Sequence, residues 1–154
     1  MSDSSYTVSR SASIGAAPQQ VFEQVSDFHK WGAWSPWEGL DPDMERTYVG
    51  PQAGVGAKYE WSGNRKAGAG RMEILEADAP SRVLIDLVFE KPFKSHSVTE
   101  FNIDGTRTGS QVAWTMTGPN TFMTRVMGIF KSMDGLIGPD FEKGLANLKG
   151  NLEG

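Results

Sequence analysis

The sequence IGAAPQQVFEQVSDFHKWGAWSPWE, residues 14–38, contains the features that decide the fold. It begins where an alternating strand pattern over residues 6–14 ends, because Gly15 and Pro18 interrupt the period of two. Pro18 suits a first helical turn. Apolar residues then recur at helical spacing, namely Val21, Phe22, Val25 and Phe28. We therefore expect a half-buried strand, a short amphipathic helix ending near Ser26, and an aromatic-rich turn region.

From Asp43 to about residue 117, apolar and polar residues again alternate with a period of two over most of the chain. One strand is expected over residues 55–61, and Ser62-Gly63-Asn64 after it is typical of a turn. Further strands are expected at about residues 67–77, 81–90, 95–103 and 110–117. Because their connectors are short and carry turn residues, consecutive strands are expected to pair antiparallel.

The C-terminal part has a helical pattern. Asn120 can cap a helix, and apolar residues follow it three and four apart, from Met123, Val126, Met127, Phe130 and Met133 to Phe141, Leu145, Leu148 and Leu152. Gly138 and Pro139 lie within this stripe, so we expect a kink or a break there. No linker or repeat divides the chain, which predicts a single domain over residues 1–154 with an ordered core of about 6–152.

A lone antiparallel sheet must cover its apolar face, and the C-terminal helix is the only element large enough to do so. A sheet curled around one helix often leaves an apolar cavity between them. The side chains expected there are large and soft: Tyr59, Trp61, Met72, Phe89, Trp114 and Met116 from strands, and Met123, Met127 and Phe130 from the helix. The same pattern also fits a simply packed core.

Three tryptophans, Trp31, Trp34 and Trp37, are spaced by three residues. They are interpreted either as an aromatic lid over the mouth of a cavity or as a plug at one end of the core. Of the three, Trp34 and Trp37 are the better candidates for contact with a ligand, and Phe93 is a further candidate.

Residues 27–38, together with the order of elements, resemble the SRPBCC superfamily. More narrowly, they are similar to the bacterial polyketide cyclase/dehydrase and lipid transport proteins, relatives of START and Bet v 1 domains. The supporting stretches are IGAAPQQVFEQVSD (14–27), GVGAKYEWSGN (54–64), GAGRMEI (68–74), KPF (91–93), VAWTMTG (112–118) and DFEKGLANLK (140–149). The resemblance implies an α+β helix-grip fold. In that fold a curved antiparallel sheet of six or seven strands wraps around the long C-terminal helix, with short helices after the first strand and a deep cavity.

Few residues are candidates for metal binding or acid–base catalysis. His29 and His96 have no neighbouring histidine at metal-ligand spacing, so no metal site is predicted. His29 is interpreted as a surface or hydrogen-bonded histidine, with a general acid or base near the cavity mouth as the alternative. Arg10 shares a strand face with apolar residues. Either it points inward to a carboxylate of the protein or of an acidic ligand, or its guanidinium reaches water.

No nucleophile elbow or phosphate-binding loop is present in the sequence. Gly68-Ala69-Gly70 begins like a dinucleotide fingerprint, but Glu73 occupies the position of the third glycine. Close backbone packing or a bend in a strand explains these glycines better.

Composition excludes several classes of protein. The net charge of -4 argues against binding to nucleic acid. The chain contains no cysteine, which excludes disulfides, Fe–S clusters and thiolate chemistry. No window of 18 apolar residues predicts a transmembrane segment, and the polar N-terminus does not resemble a signal peptide. The cytoplasm is the expected compartment.

The function implied by the resemblance is binding of a small hydrophobic or amphipathic ligand, such as a lipid, a polyketide or an aromatic metabolite, in the cavity. No cofactor and no catalytic residue is predicted. One alternative is a cofactor-independent enzyme, a polyketide cyclase or dehydratase that uses the same cavity. Another is a protein-interaction module related to chaperone-activator START-like domains. The protein is expected to be a monomer or a dimer.

Overall fold

A computed structural model describes residues 5–35, 43–64, 68–91, 95–119 and 133–153. Among them are the seven strands β1 (Ser5–Ile14), β2 (Glu45–Val49), β3 (Lys58–Ser62), β4 (Ala69–Asp78), β5 (Arg82–Lys91), β6 (Ser95–Thr106) and β7 (Gly109–Pro119). The helices are α1 (Pro18–Val25), a 3₁₀ helix (Phe28–Ala33) and the C-terminal α2 (Met133–Glu153). The predicted fold class is confirmed: one curved antiparallel sheet, short helices after the first strand, and a C-terminal helix.

The strands form a single sheet in the order β1-β7-β6-β5-β4-β3-β2. Every neighbouring pair is antiparallel, as the short connectors predict. The sheet therefore places β1 beside the last strand, with β2 at the opposite edge. We call the face that packs against α2 the inner face.

The strand predicted over residues 55–61 begins later than expected, at Lys58. Gly54 and Gly56 have φ angles of 81° and 92°, in the left-handed region that favours glycine. The two glycines turn the chain ahead of the strand, and Val55 between them is exposed. Alternation of apolar residues was thus a wrong guide to the start of β3.

Helix α2 runs without interruption through Gly138 and Pro139, so of the kink or break predicted there the break is wrong, and the kink stays a prediction. Gly138 lies close to the side chain of Arg10. A Cβ atom on Gly138 would lie 2.1 Å from a guanidinium nitrogen of Arg10. The part of the helix predicted before Met133 lies outside the described residues.

The core under α2 consists largely of aromatic rings. Phe141 of α2 stacks on Trp114 of β7, with ring centroids 4.0 Å apart and planes 5° apart. Trp114 also stacks on Phe101, and Trp34 and Trp31 meet both rings edge-on from the 3₁₀ helix and its end. We call these five residues the ring cluster; all five are buried. They fill the space between α2 and the adjoining part of the inner face.

Truncating Phe141 removes one face of the Trp114 stack and leaves a cavity in the ring cluster. We expect Phe141→Ala to lower the free energy of unfolding by about 3–5 kcal/mol, measured by urea denaturation. Lys143→Ala is the matched control, because Lys143 is exposed on the same helix. Its effect is expected to stay within about 0.5 kcal/mol. Equal effects of the two substitutions would contradict the packing of Phe141 described above.

Candidate functional site

Helix α2 lies over one end of the inner face. Arg10 Nε is 2.7 Å from Glu142 Oε2, and the backbone N–H of Gly15 donates to Glu153 Oε2 at 2.7 Å. These contacts place α2 along the second half of β1. The inner-face residues near the start of β1, and those level with them across the sheet, lie beyond these contacts.

At that end of the sheet, Tyr6 of β1 lies flat on β7. Tyr6 is paired in register with Gly118, and a Cβ atom there would be only 2.8 Å from the phenol oxygen. The Tyr6 hydroxyl is hydrogen-bonded to the side chain of Ser97 on β6. Burial raises the pKa of the Tyr6 phenol above its ordinary value, against a smaller opposing effect of the Ser97 hydrogen bond.

A second ring lies over a glycine on the same face, towards the opposite edge of the sheet. Trp61 of β3 is in register with Gly70 of β4, where a Cβ atom would be 2.7 Å from the indole ring. The indole meets Phe89 of β5 edge-on, with ring centroids 5.5 Å apart. Of the two explanations offered from the sequence, close packing holds for Gly70, whereas Gly68 has a φ angle of 67°, in the left-handed region that favours glycine.

Between the two rings, inner-face side chains form a continuous row across four strands. Ser97 is paired with Leu87, Leu87 with Met72, and Met72 with Tyr59. We call this surface the floor; it consists of Tyr6, Ser97, Leu87, Met72, Tyr59, Trp61 and Phe89, with Gly118 and Gly70 beneath the two rings. The hydroxyls of Tyr6 and Ser97 lie on one side, and the large side chains of Met72, Trp61, Phe89 and Tyr59, the last with a hydroxyl of its own, lie on the other.

The structure divides the predicted ligand contacts into three groups. Tyr59, Trp61, Met72 and Phe89 come together on the floor. Trp34 and Trp114 lie in the ring cluster, and Met116 is buried between Val8 and Thr99 in the row between cluster and floor. The remaining five lie outside the described residues: Trp37, Phe93, Met123, Met127 and Phe130. That any of these residues contacts a ligand stays a prediction.

Sequence reasoning missed Tyr6, Ser97, Leu87 and Gly118. The signal was an aromatic residue placed opposite a glycine. It becomes visible only once the register of strands distant in sequence is known, because Tyr6 and Gly118 are 112 residues apart.

His29 lies beside the floor and is held by a buried carboxylate. Asp27 Oδ1 accepts a hydrogen bond from the backbone N–H of His29 at 2.9 Å. The same oxygen lies 3.0 Å from Nδ1 of the His29 ring. Gln52 donates to the other carboxylate oxygen. The imidazole stacks on Tyr48, whose ring in turn contacts Tyr59. The interpretation of a hydrogen-bonded histidine at the surface agrees with this geometry.

The other candidate groups do not converge with His29. Arg10 points inward and pairs with Glu142, so the carboxylate expected for it comes from the protein. Four strands separate β1, which carries Arg10, from β3, which carries Tyr59. His96 pairs with Asp86 and is exposed. Among the described residues, no three His, Cys, Asp or Glu side chains are placed to hold a metal ion.

Two surface clefts lie elsewhere on the molecule. One of about 450 Å³ lies at the end of α2, between Lys149, Leu152 and the end of β1. The other, of about 240 Å³, is lined by charged side chains of β3, β4 and β5 together with Met72. Neither cleft is lined by Tyr59, Trp61 or Phe89.

A curved antiparallel sheet whose apolar inner face packs against a C-terminal helix is the architecture of a known family. A family model described as polyketide cyclase / dehydrase and lipid transport matches residues 5–153. The chain belongs to this family, which confirms the resemblance seen in the sequence. No curated protein matches the chain.

Solved structures of the same fold cover nearly the whole chain. A protein from Chromobacterium violaceum is 14% identical with a TM-score of 0.68, over 96% of this chain and 98% of its own. The Aha1 dimer from Colwellia psychrerythraea is 15% identical with a TM-score of 0.67, over 96% of each chain. DynU16, from the dynemicin biosynthetic locus, is 15% identical with a TM-score of 0.63, over 96% of this chain and 47% of its own. At these identities the likeness establishes the fold alone.

In the part of the chain that is described, no helix combines the length and the apolar character needed to cross a membrane.

The placement of Trp61 over Gly70 can be tested by adding one methyl group. Because a Cβ atom on Gly70 would lie 2.4 Å from the carbonyl oxygen of Val88, the backbone and the indole must both move in Gly70→Ala. We expect the free energy of unfolding to fall by about 1–3 kcal/mol and the near-UV circular dichroism to change.

Gly150→Ala is the control for the loss of a glycine. A Cβ atom on Gly150 meets nothing within 4 Å, and the residue is in a helix. This substitution is expected to raise stability by up to about 1 kcal/mol and to leave the near-UV spectrum unchanged. If Gly70→Ala behaved in the same way, Trp61 would not lie over Gly70.

Proposed function

We propose that this protein binds a small hydrophobic or amphipathic ligand on the floor, between the sheet and the C-terminal helix, in the cytoplasm. Lipids, polyketides and aromatic metabolites are the chemical classes that fit. The observation that carries the proposal is the division of the inner face. The ring cluster fills the part under α2, whereas the floor lies beyond the contacts of Arg10 and Gly15 with that helix and includes Trp61 and Phe89, which are only partly buried.

The composition of the floor supports an apolar ligand. Trp61 and Phe89 are only partly buried, although both belong to the inner face of the sheet. Aromatic side chains provide a large apolar contact area with little conformational freedom to lose, and Met72 adapts to irregular shapes. Removing such a surface from water stabilises a complex in proportion to the apolar area covered.

The family description supports the same class of ligand, since it names polyketides and lipids. Polyketides and lipids both combine an apolar body with a few oxygen atoms. The alternative of an enzyme needs titratable groups that meet at one reacting atom. The candidates Arg10 and His29 are instead paired with Glu142 and Asp27.

The proposal predicts saturable binding of a neutral apolar probe. N-phenyl-1-naphthylamine is suitable, because its fluorescence rises when it leaves water. We expect one molecule to bind per chain. Phe89→Ala is expected to weaken its affinity on the order of tenfold, because it removes an aromatic contact from the floor.

Leu75→Ala is the matched control, because Leu75 is an exposed apolar residue of β4 outside the floor. Its affinity for the probe is expected to equal that of the unmodified protein. A protein that shows no saturable binding, or two variants that weaken binding equally, would overturn the proposal.

A further inference from the structure

The floor carries a polar group whose placement packing does not require. Tyr6 and Ser97 bring hydroxyl groups to one side of a largely apolar surface, and Ser97 is only 5% exposed. Hydroxyl groups removed from water destabilise a protein unless they find hydrogen-bond partners. The Tyr6 ring would lie over Gly118 equally well without its oxygen.

We infer that Tyr6, supported by Ser97, donates a hydrogen bond to a carbonyl oxygen of the ligand, so that the floor selects apolar molecules that bear an uncharged carbonyl group. This inference rests on the proposed function and names the ligand's polar group.

The number of O–H groups on Tyr6 and Ser97 supports a hydrogen-bond donor that is available to a ligand. Tyr6 and Ser97 together have two O–H groups, and the hydrogen bond between them uses one of these. One O–H therefore remains to donate, whichever of the two residues donates to the other. Among the described residues, neither side chain has a further hydrogen-bond partner.

The charge of the floor favours an uncharged acceptor. None of its residues is charged, and Arg10, which lies on the same face of β1, is paired with Glu142. Among the described residues of the floor, a carboxylate on the ligand would therefore find no cation to balance it, which is costly in an apolar site. The raised pKa of Tyr6 keeps the phenol protonated at neutral pH, as a donor must be.

The distance across the floor indicates the size of the ligand. The Tyr6 hydroxyl reaches β6, whereas the Trp61 ring lies over β4, two strand spacings or about 10 Å away. A molecule that spans this distance, with its carbonyl group at Tyr6, places its apolar body over Leu87 and against Phe89. Two fused aromatic rings with an acyl substituent have suitable dimensions.

Two probes of nearly the same shape test the inference. 2-Acetylnaphthalene has a carbonyl oxygen, and 2-ethylnaphthalene lacks it. Tyr6→Phe is expected to weaken binding of the ketone about 3- to 10-fold, the usual effect of one lost hydrogen bond, and to change binding of the hydrocarbon less than about twofold. Tyr48→Phe removes a hydroxyl from the far edge strand and is expected to change neither affinity.

A second measurement needs no variant. The infrared carbonyl stretch of 2-acetylnaphthalene bound to the unmodified protein is expected at a lower frequency than in hexane, because a hydrogen bond weakens the C=O bond. A frequency equal to that in hexane would overturn the inference even if Tyr6→Phe did not fold.

The possible failures are distinguishable. If both probes bind and Tyr6→Phe changes their affinities equally or not at all, the inference is wrong while the proposed function stands. If neither probe binds the unmodified protein, the proposed function fails, and the inference fails with it.

Discussion

The stack of Phe141 on Trp114 is the contact on which the arrangement of the inner face depends. It attaches α2 to β7 and, through the ring cluster, to the 3₁₀ helix that follows α1. The hydrogen bonds of Arg10 and Gly15 to the helix then align it with β1. Because the rings fill this part of the sheet, the ligand site that we propose lies on the floor.

Two glycines determine the shape of that floor. Gly118 and Gly70 have no side chain to lift the rings of Tyr6 and Trp61 from the sheet. The two rings approach from opposite edges, one with a hydroxyl group and the other wholly apolar at its point of contact with Phe89. In the complex that we propose, the hydroxyl of Tyr6 would orient a ligand bound between the two rings.

Much of this architecture was predictable from sequence. The period of two located most strands, and the aromatic segment at residues 27–38 led to the correct family. Four floor residues, Tyr59, Trp61, Met72 and Phe89, were identified because alternation assigns a residue to a face. Alternation could not identify Tyr6 and Ser97, since their meeting depends on pairing between distant strands. It also could not show that Trp34 and Trp114 pack into a filled cluster, since packing depends on where α2 lies.

The division of the inner face into a filled part and the floor is tested most directly by amide chemical-shift mapping. Isotope-labelled protein would be titrated with 2-acetylnaphthalene and followed by two-dimensional NMR. The account predicts that the largest shifts fall on Gly70, Leu87, Ser97 and Gly118. The account would be contradicted if the largest shifts fell on Phe101, Trp114 and Phe141, or in the cleft beside Lys149.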